Sequence, residues 1–289
     1  MPIVNQNAGN NRKATPSILQ FQEIRNSVFV DTNINWQSQK GKSVIKFGCK
    51  CFDENTTTLL RHVPFSWLYH MVEKREFTFV SPSKWNDPFE NLFYEPNLMV
   101  GNSYVNGCLC FTYVRNAGED SLWKNYQTEN KEPLTKLDYN FINLLDQLSV
   151  MAINKKCSVY VTLVNYDYDR KDIVKMCHSL GGKKGVCYHS LEEYLTYMSI
   201  KRKAFVNENE VRFFLVSDHH DPGKTVFSLS NFDVKSCIKR VTLQPLPFMY
   251  DSTRKEYYHD LQDIYHQGMK DWIQNIFGSF QQSRLYDLK

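Results

Sequence analysis

No run of apolar residues in this chain approaches the roughly 18 needed to cross a bilayer. Its start, MPIVNQNAGNNRKATPS, lacks the apolar core of a signal peptide. Both absences point to a soluble cytoplasmic protein without a membrane partner, whose eight cysteines are thiols rather than a disulfide framework. Two C-x-C pairs, Cys49/Cys51 and Cys108/Cys110, place both sulfurs on one face of a strand. Paired C-x-x-C or Cys/His groups at zinc-finger spacing are lacking, so small buried thiols are expected rather than a metal site. Charge is not blocked either. The net charge of +4 arises from 35 basic and 31 acidic residues intermixed, which permits a nucleic-acid partner without indicating one. The patterns G-x-S-x-G, G-x-x-x-x-G-K-[ST] and H-E-x-x-H are absent. GGKKG at 181–185 lacks the strand-to-helix context of a phosphate loop. The chain shows no internal repeat.

What is present suffices for a large core: 42% of residues are apolar and 14% aromatic. Residues 1–42, rich in Asn, Gln, Lys and Ser, read as a flexible polar arm. Residues 43–289 read as a single α+β domain of mixed, largely antiparallel sheets with flanking helices. Alternating apolar residues predict strands at 43–52, 59–63, 77–81, 107–114, 157–168, 210–217, 225–229 and 238–245. Three-and-four spacing predicts helices at 65–77, 120–127 and 135–156, and a terminal helix over 254–280 that breaks near Gly268. A further helix at 190–205 opens on a Ser-x-x-Glu capping box, Ser190 and Glu193.

Four clusters carry side chains able to grip a ligand. Arg61 and His62 are neighbours on a strand and point to opposite faces, so at most one serves a given cleft. In SPSKWNDPFEN, Asn86 and Asp87 either form an Asx-turn closed by Pro88 or shape a cleft wall. Trp123 and Tyr126 share a helix face, as core or as a ligand platform. In NENEVRFFLV the alternation of Glu208, Glu210 and Arg212 lines all three along one strand face. Two carboxylates and a guanidinium pointing the same way are costly if buried unpaired. Either Arg212 pairs with a glutamate, or the row lines a polar cleft and supplies a catalytic carboxylate.

The ordered series LLRHVPFSWLYHMVEKREFTFVSPSKWNDPFEN, GCLCFT, SLWKNY, KGVCYHS and KRKAFVNENEVRF resembles the bacterial domain-of-unknown-function 2971 family. The likeness covers roughly residues 59–245, and Asn86-Asp87-Pro88-Phe89-Glu90 is its most specific piece. His62 stands where an aromatic is usual in that family, and Thr112 where Ser is usual. More distantly, RHVPFSWLYHMVEKREFTFVSP and the order of elements are similar to ADP-ribosyltransferases that modify nucleic acid in bacterial toxin–antitoxin and anti-phage systems.

That second resemblance implies an ADP-ribosyltransferase-like split sheet, NAD as substrate, RNA, DNA or protein as acceptor, and an antitoxin as partner. Cleaving the nicotinamide–ribose bond builds positive charge on the ribose, which a carboxylate stabilises. The resemblance gives this role to Glu210, with Glu208 as alternative. Arg61 would hold the NAD diphosphate or ribose by bidentate contact. Tyr126, Trp123 or Trp85 would stack on nicotinamide, and His62, Ser81, Asn86, Asp87 and Arg212 would complete the NAD cleft. Two other readings stand beside it. One is a non-catalytic binding, antitoxin or sensor module of a defence system. The other is a metal-dependent nuclease using Asp87, Glu208 and Glu210.

Overall fold

The computed structural model describes residues 45–47, 58–114, 132–180, 188–244 and 255–282. The arm expected at 1–42, the helix at 120–127 with Trp123 and Tyr126, and the 181–187 stretch lie outside the described residues.

The expected α+β class is what the chain forms, with mostly antiparallel strands and helices against them. Strands β1 (Ile45–Phe47) and β2 (Thr58–Pro64) are followed by helix α1 (Phe65–Lys74) and β3 (Glu76–Val80). Pro64 ends β2 and opens α1, since its ring fixes φ where a helix can begin. Arg75, left-handed at φ 52°, turns α1 sharply into β3. Next come β4 (Tyr104–Val114), β5 (Leu134–Asn140), α2 (Phe141–Asn154), β6 (Cys157–Leu163) and β7 (Asn165–Tyr168). Helices α3 (Arg170–Ser179) and α4 (Leu191–Tyr197) lead to β8 (Ile200–Arg202), a 3₁₀ turn (Lys203–Glu208) and β9 (Glu210–Ser217). The chain closes with β10 (Val226–Ser230), α5 (Val234–Cys237), β11 (Ile238–Leu243), α6 (Lys255–Phe277) and β12 (Gln281–Gln282).

The main sheet runs β1-β6-β9-β4-β2-β5-β11-β12, antiparallel except for the outer pairs β1–β6 and β11–β12. It forks at β4. The end of β4 pairs with β2, whereas Cys108 in its first half pairs with Val80 of β3, which carries β10. Gly107 permits that approach: a Cβ there would lie 2.7 Å from Phe79 Cβ.

Four helix expectations need correction: the first, at 65–77, ends at Lys74, because left-handed Arg75 turns the chain into β3. The stretch 135–140, read as the start of the central helix, is strand β5. Its residues are buried between β2 and β11, and Asn140 starts α2 by accepting the Asn143 N–H at 3.2 Å. The Ser190 helix opens where expected, with Ser190 Oγ accepting from Glu193 N–H (3.1 Å), but the Glu193 carboxylate accepts from His189 N–H (2.6 Å) rather than from Ser190, so the box is not closed. It stops at Tyr197, because residues 200–202 pair with β7. The terminal helix runs unbroken through Gly268. Helix α3 went unforeseen, although Asp169 and Asp172 open it with a reciprocal capping box.

Two cores lie on the two faces of the sheet. One joins Phe77, Phe111, Tyr139 and Phe213 to α1 and α2; the other joins Tyr160 and Phe214 to α3 and α4. Among the described residues no helix is long and apolar enough to cross a membrane.

Candidate functional site

The second face changes character at the start of β9. Register pairs Thr112 with Glu210 and Cys110 with Arg212, so these four side chains share that face with Phe214. Arg212 is fully buried. A guanidinium there must have every donor engaged, and three neighbours supply acceptors. Its Nε donates to Glu210 Oε1 (2.8 Å), its Nη2 to Glu90 Oε2 (2.6 Å) and its Nη1 to the Met198 carbonyl. The Trp85 ring covers its face at 4.3 Å.

Lys201 answers from β8. Its Nζ lies 2.9 Å from Glu90 Oε1, 3.0 Å from Glu210 Oε2 and 2.6 Å from Glu208 Oε2. Glu90 and Glu210 therefore each bridge both cations, and Arg212–Glu210–Lys201–Glu90 close into a ring of alternating charge. Glu208 hangs from Lys201 outside it. Three carboxylates face two cations, leaving one negative charge in excess.

Electrostatics follow from this count. Burial pushes Glu210 up, but Arg212 and Lys201 outweigh it and hold the carboxyl down at about 2. Burial works against Lys201 too, yet Glu210, Glu90 and Glu208 raise it well above its ordinary value. Glu208 moves the other way. Burial raises its pKa, its share of one ammonium offsets this only in part, and Glu210 and Glu90 add repulsion. Among the described residues its Oε1 has no partner. A hydrogen bond to Cys108, burial and the charge of Glu210 push the Cys110 thiol up, so it stays protonated and donates to Glu210. Tyr166 Oη accepts the Glu210 N–H at 2.9 Å; burial and Glu210 keep this phenol neutral.

Local folding explains the convergence. In the 3₁₀ turn after Val80, Ser81 Oγ accepts the Ser83 N–H (3.3 Å) and bonds Tyr94 Oη (3.0 Å). Asp87 Oδ1 then accepts the Phe89 N–H (2.9 Å), and Asn91 ties back to the Trp85 carbonyl (2.6 Å). This fixed loop delivers Trp85 and Glu90 to Arg212. From the other side, Ser199 Oγ bonds Thr162 (2.6 Å) and the Leu195 carbonyl (2.8 Å), which sets Met198 and Lys201.

Several expected site residues fall elsewhere. Glu208 is not on the strand with Glu210. It ends the 3₁₀ turn, and Asn209, left-handed at φ 43°, breaks the alternation between them. The two carboxylates meet only through Lys201. Arg61 is on the opposite face of the sheet: Leu60 aligns with Thr112, and Thr112 with Glu210, so odd-numbered residues of β2 face away. Arg61 lies over the Trp67 ring at 5.9 Å and beside Tyr139. It does not reach the Glu210 cluster. His62 shares the face of Glu210 but stands two strands away, opposite Lys136. Ser81 is buried in the loop anchor, and Asn86 is exposed. Asp87 pairs with Arg202, whose Nη2 (2.8 Å) and Nε (3.3 Å) both donate to Oδ2.

Sequence reasoning missed Glu90, Lys201, Arg202, Tyr166 and Cys110. Glu90 closes the NDPFE string and carried a signal; the others come together only through tertiary pairing. The nuclease reading meets a specific obstacle. Lys201 Nζ occupies the point where Glu90, Glu208 and Glu210 converge, and Asp87 is committed to Arg202. No group of three metal-ligating side chains suited to an ion occurs among the described residues.

No protein-family model, curated protein or solved structure matches this chain.

Proposed function

We propose that this protein is an ADP-ribosyltransferase-like enzyme of bacterial defence, related to the domain-of-unknown-function 2971 family, that transfers ADP-ribose from NAD to nucleic acid or protein. One observation carries the reading: Glu208 is a carboxylate of raised pKa with an uncommitted oxygen, at a centre with one negative charge in excess. In the transfer the bond between nicotinamide and ribose C1′ breaks and its electron pair leaves with nicotinamide. The acceptor forms the new bond to C1′, and its proton passes to Glu208. Negative excess stabilises the cationic ribose, and a raised pKa suits a general base. This makes Glu208 the catalytic residue. Glu210, with both oxygens engaged, becomes a positioning residue acting through Lys201. Trp85, Phe89 and Phe205 line the same region and offer rings for nicotinamide.

The test is incubation of the protein with NAD labelled in its ADP-ribose part, cell extract and total RNA, beside Glu208→Gln. Label on RNA, DNA or protein, lost in a variant that still folds, is the expected result. Equal labelling by Glu208→Gln would refute its role.

The closure of the ion-pair ring favours a second reading, a non-catalytic binding or antitoxin-like module in which the charges only hold the loop and β8 on the sheet. It predicts neither label nor nicotinamide release, and a stable partner instead.

A further inference from the structure

Beside the acidic centre lies a region of opposite character. Arg202 is clamped on three sides: by Asp87, by the Phe89 ring at 4.8 Å and by the Phe205 ring at 4.8 Å. Arg170, exposed at the start of α3, lies over the same Phe89 ring at 5.0 Å. Two guanidiniums thus share one phenyl ring, and among the described residues Asp87 pairs with Arg202 alone. The adjacent acids turn their oxygens to backbone N–H groups rather than to Arg170. Asp169 accepts from the Lys171 and Asp172 N–H groups (2.7 and 3.0 Å), and Asp172 accepts from the Asp169 N–H (3.2 Å). Among the described residues Arg170 forms no ion pair.

Phe205 links the two regions, since Lys201 Nζ lies 5.1 Å from the ring that also holds Arg202. The Lys201 ammonium of the acidic centre and the Arg202 guanidinium therefore both lie against one aromatic ring. Like charges held together cost energy unless an anion joins them, and stacked guanidiniums lose little freedom on binding. Guanidinium forks match phosphate oxygens in pairs.

We propose that Arg170 and Arg202, stacked on Phe89, form the subsite for the diphosphate of a nucleotide whose electron-poor end faces the acidic centre. This rests on the transferase reading and adds the residues that hold the phosphates. Arg61, on the other face, does not serve this purpose.

The experiment titrates full-length wild-type protein and Arg170→Gln with ADP, adenosine and inorganic pyrophosphate by calorimetry, and measures NAD turnover in parallel. ADP binding well above adenosine, competition by pyrophosphate, and at least about ten-fold weaker ADP binding in Arg170→Gln with unchanged unliganded Tm are expected. Equal ADP affinity in the variant overturns the proposal, as does wild-type protein that binds ADP no better than adenosine. So does an oligonucleotide that binds through Arg170 where ADP does not. Arg170-dependent ADP binding without NAD turnover leaves the subsite standing and defeats the transferase. NAD turnover indifferent to Arg170→Gln does the reverse.

Discussion

Arg212 and Lys201 are joined twice, through Glu90 and through Glu210, although they stand on different strands. Neither cation can leave without costing both Glu90 and Glu210 a partner in a site that water hardly reaches. The ring thereby ties together the loop after β3, the start of β9 and strand β8.

Breaking it is accordingly expensive. Arg212→Met should lower unfolding stability by about 3–5 kcal/mol, because buried carboxylates are left unpaired. Glu208→Gln, outside the ring, should cost no more than about 1 kcal/mol. Urea unfolding of both variants measures the difference. Similar small losses would show that the ring contributes no more than a surface pair.

Lys201 is the cation on which Glu90, Glu208 and Glu210 converge. Its three carboxylate contacts span 2.6–3.0 Å, only slightly longer than calcium–oxygen distances. Lys201→Met should be less stable than wild type, yet gain Tm on addition of Ca²⁺, whereas wild type should not respond. Absence of a calcium response in a folded variant would mean that the carboxylates part once the ammonium is gone.

Acid should find the ring through Glu210. Its folded pKa, held at about 2 against an ordinary 4.5, lies below the unfolded one. Its contribution is present above the unfolded value and is lost as pH falls through the folded one, a window from about pH 4.5 to about pH 2. The loss is of order 3 kcal/mol. Glu208 has the opposite sign: its folded pKa is raised, so protonation on acidification relieves rather than costs. Unfolding free energy followed against pH should therefore fall from about pH 4.5 to about pH 2 in wild type and in Glu208→Gln alike, whereas the gain from protonating Glu208 lies above about pH 4.5 and is missing from the variant. A wild-type profile flat across that window would show that Glu210 is not held by its two cations.

The residues legible from sequence were those whose signal is local. The alternation of β9 and the string Asn86–Glu90 pointed to the stretches that meet at the ion-pair ring, and Ser190 announced α4. Leu134–Tyr139 misled because a run buried on both faces has no outward side to set its period. Lys201 and Arg202 were absorbed into the expected helix, although β7, far from them in sequence, makes them a strand. Glu208 illustrates the limit. Its spacing from Glu210 promised a shared strand face, but one left-handed residue, Asn209, breaks the strand, and the pair meets by another route.

Gly107 is where fold and site can be tested together. The Phe79 Cβ that an added methyl would meet at 2.7 Å is fixed to its backbone, so no rotamer change can relieve the contact. Strand β3 must shift instead. Since β3 runs directly into the Ser81–Glu90 loop, that shift reaches Trp85 and Glu90, which cover and bind Arg212. Gly107→Ala should thus lose about 1–3 kcal/mol and, on the transferase proposal, should also weaken NAD turnover in protein that remains folded. Loss of stability with full turnover would mean that the loop is positioned by its own hydrogen bonds at Ser81, Asp87 and Asn91 rather than by the strand that leads into it.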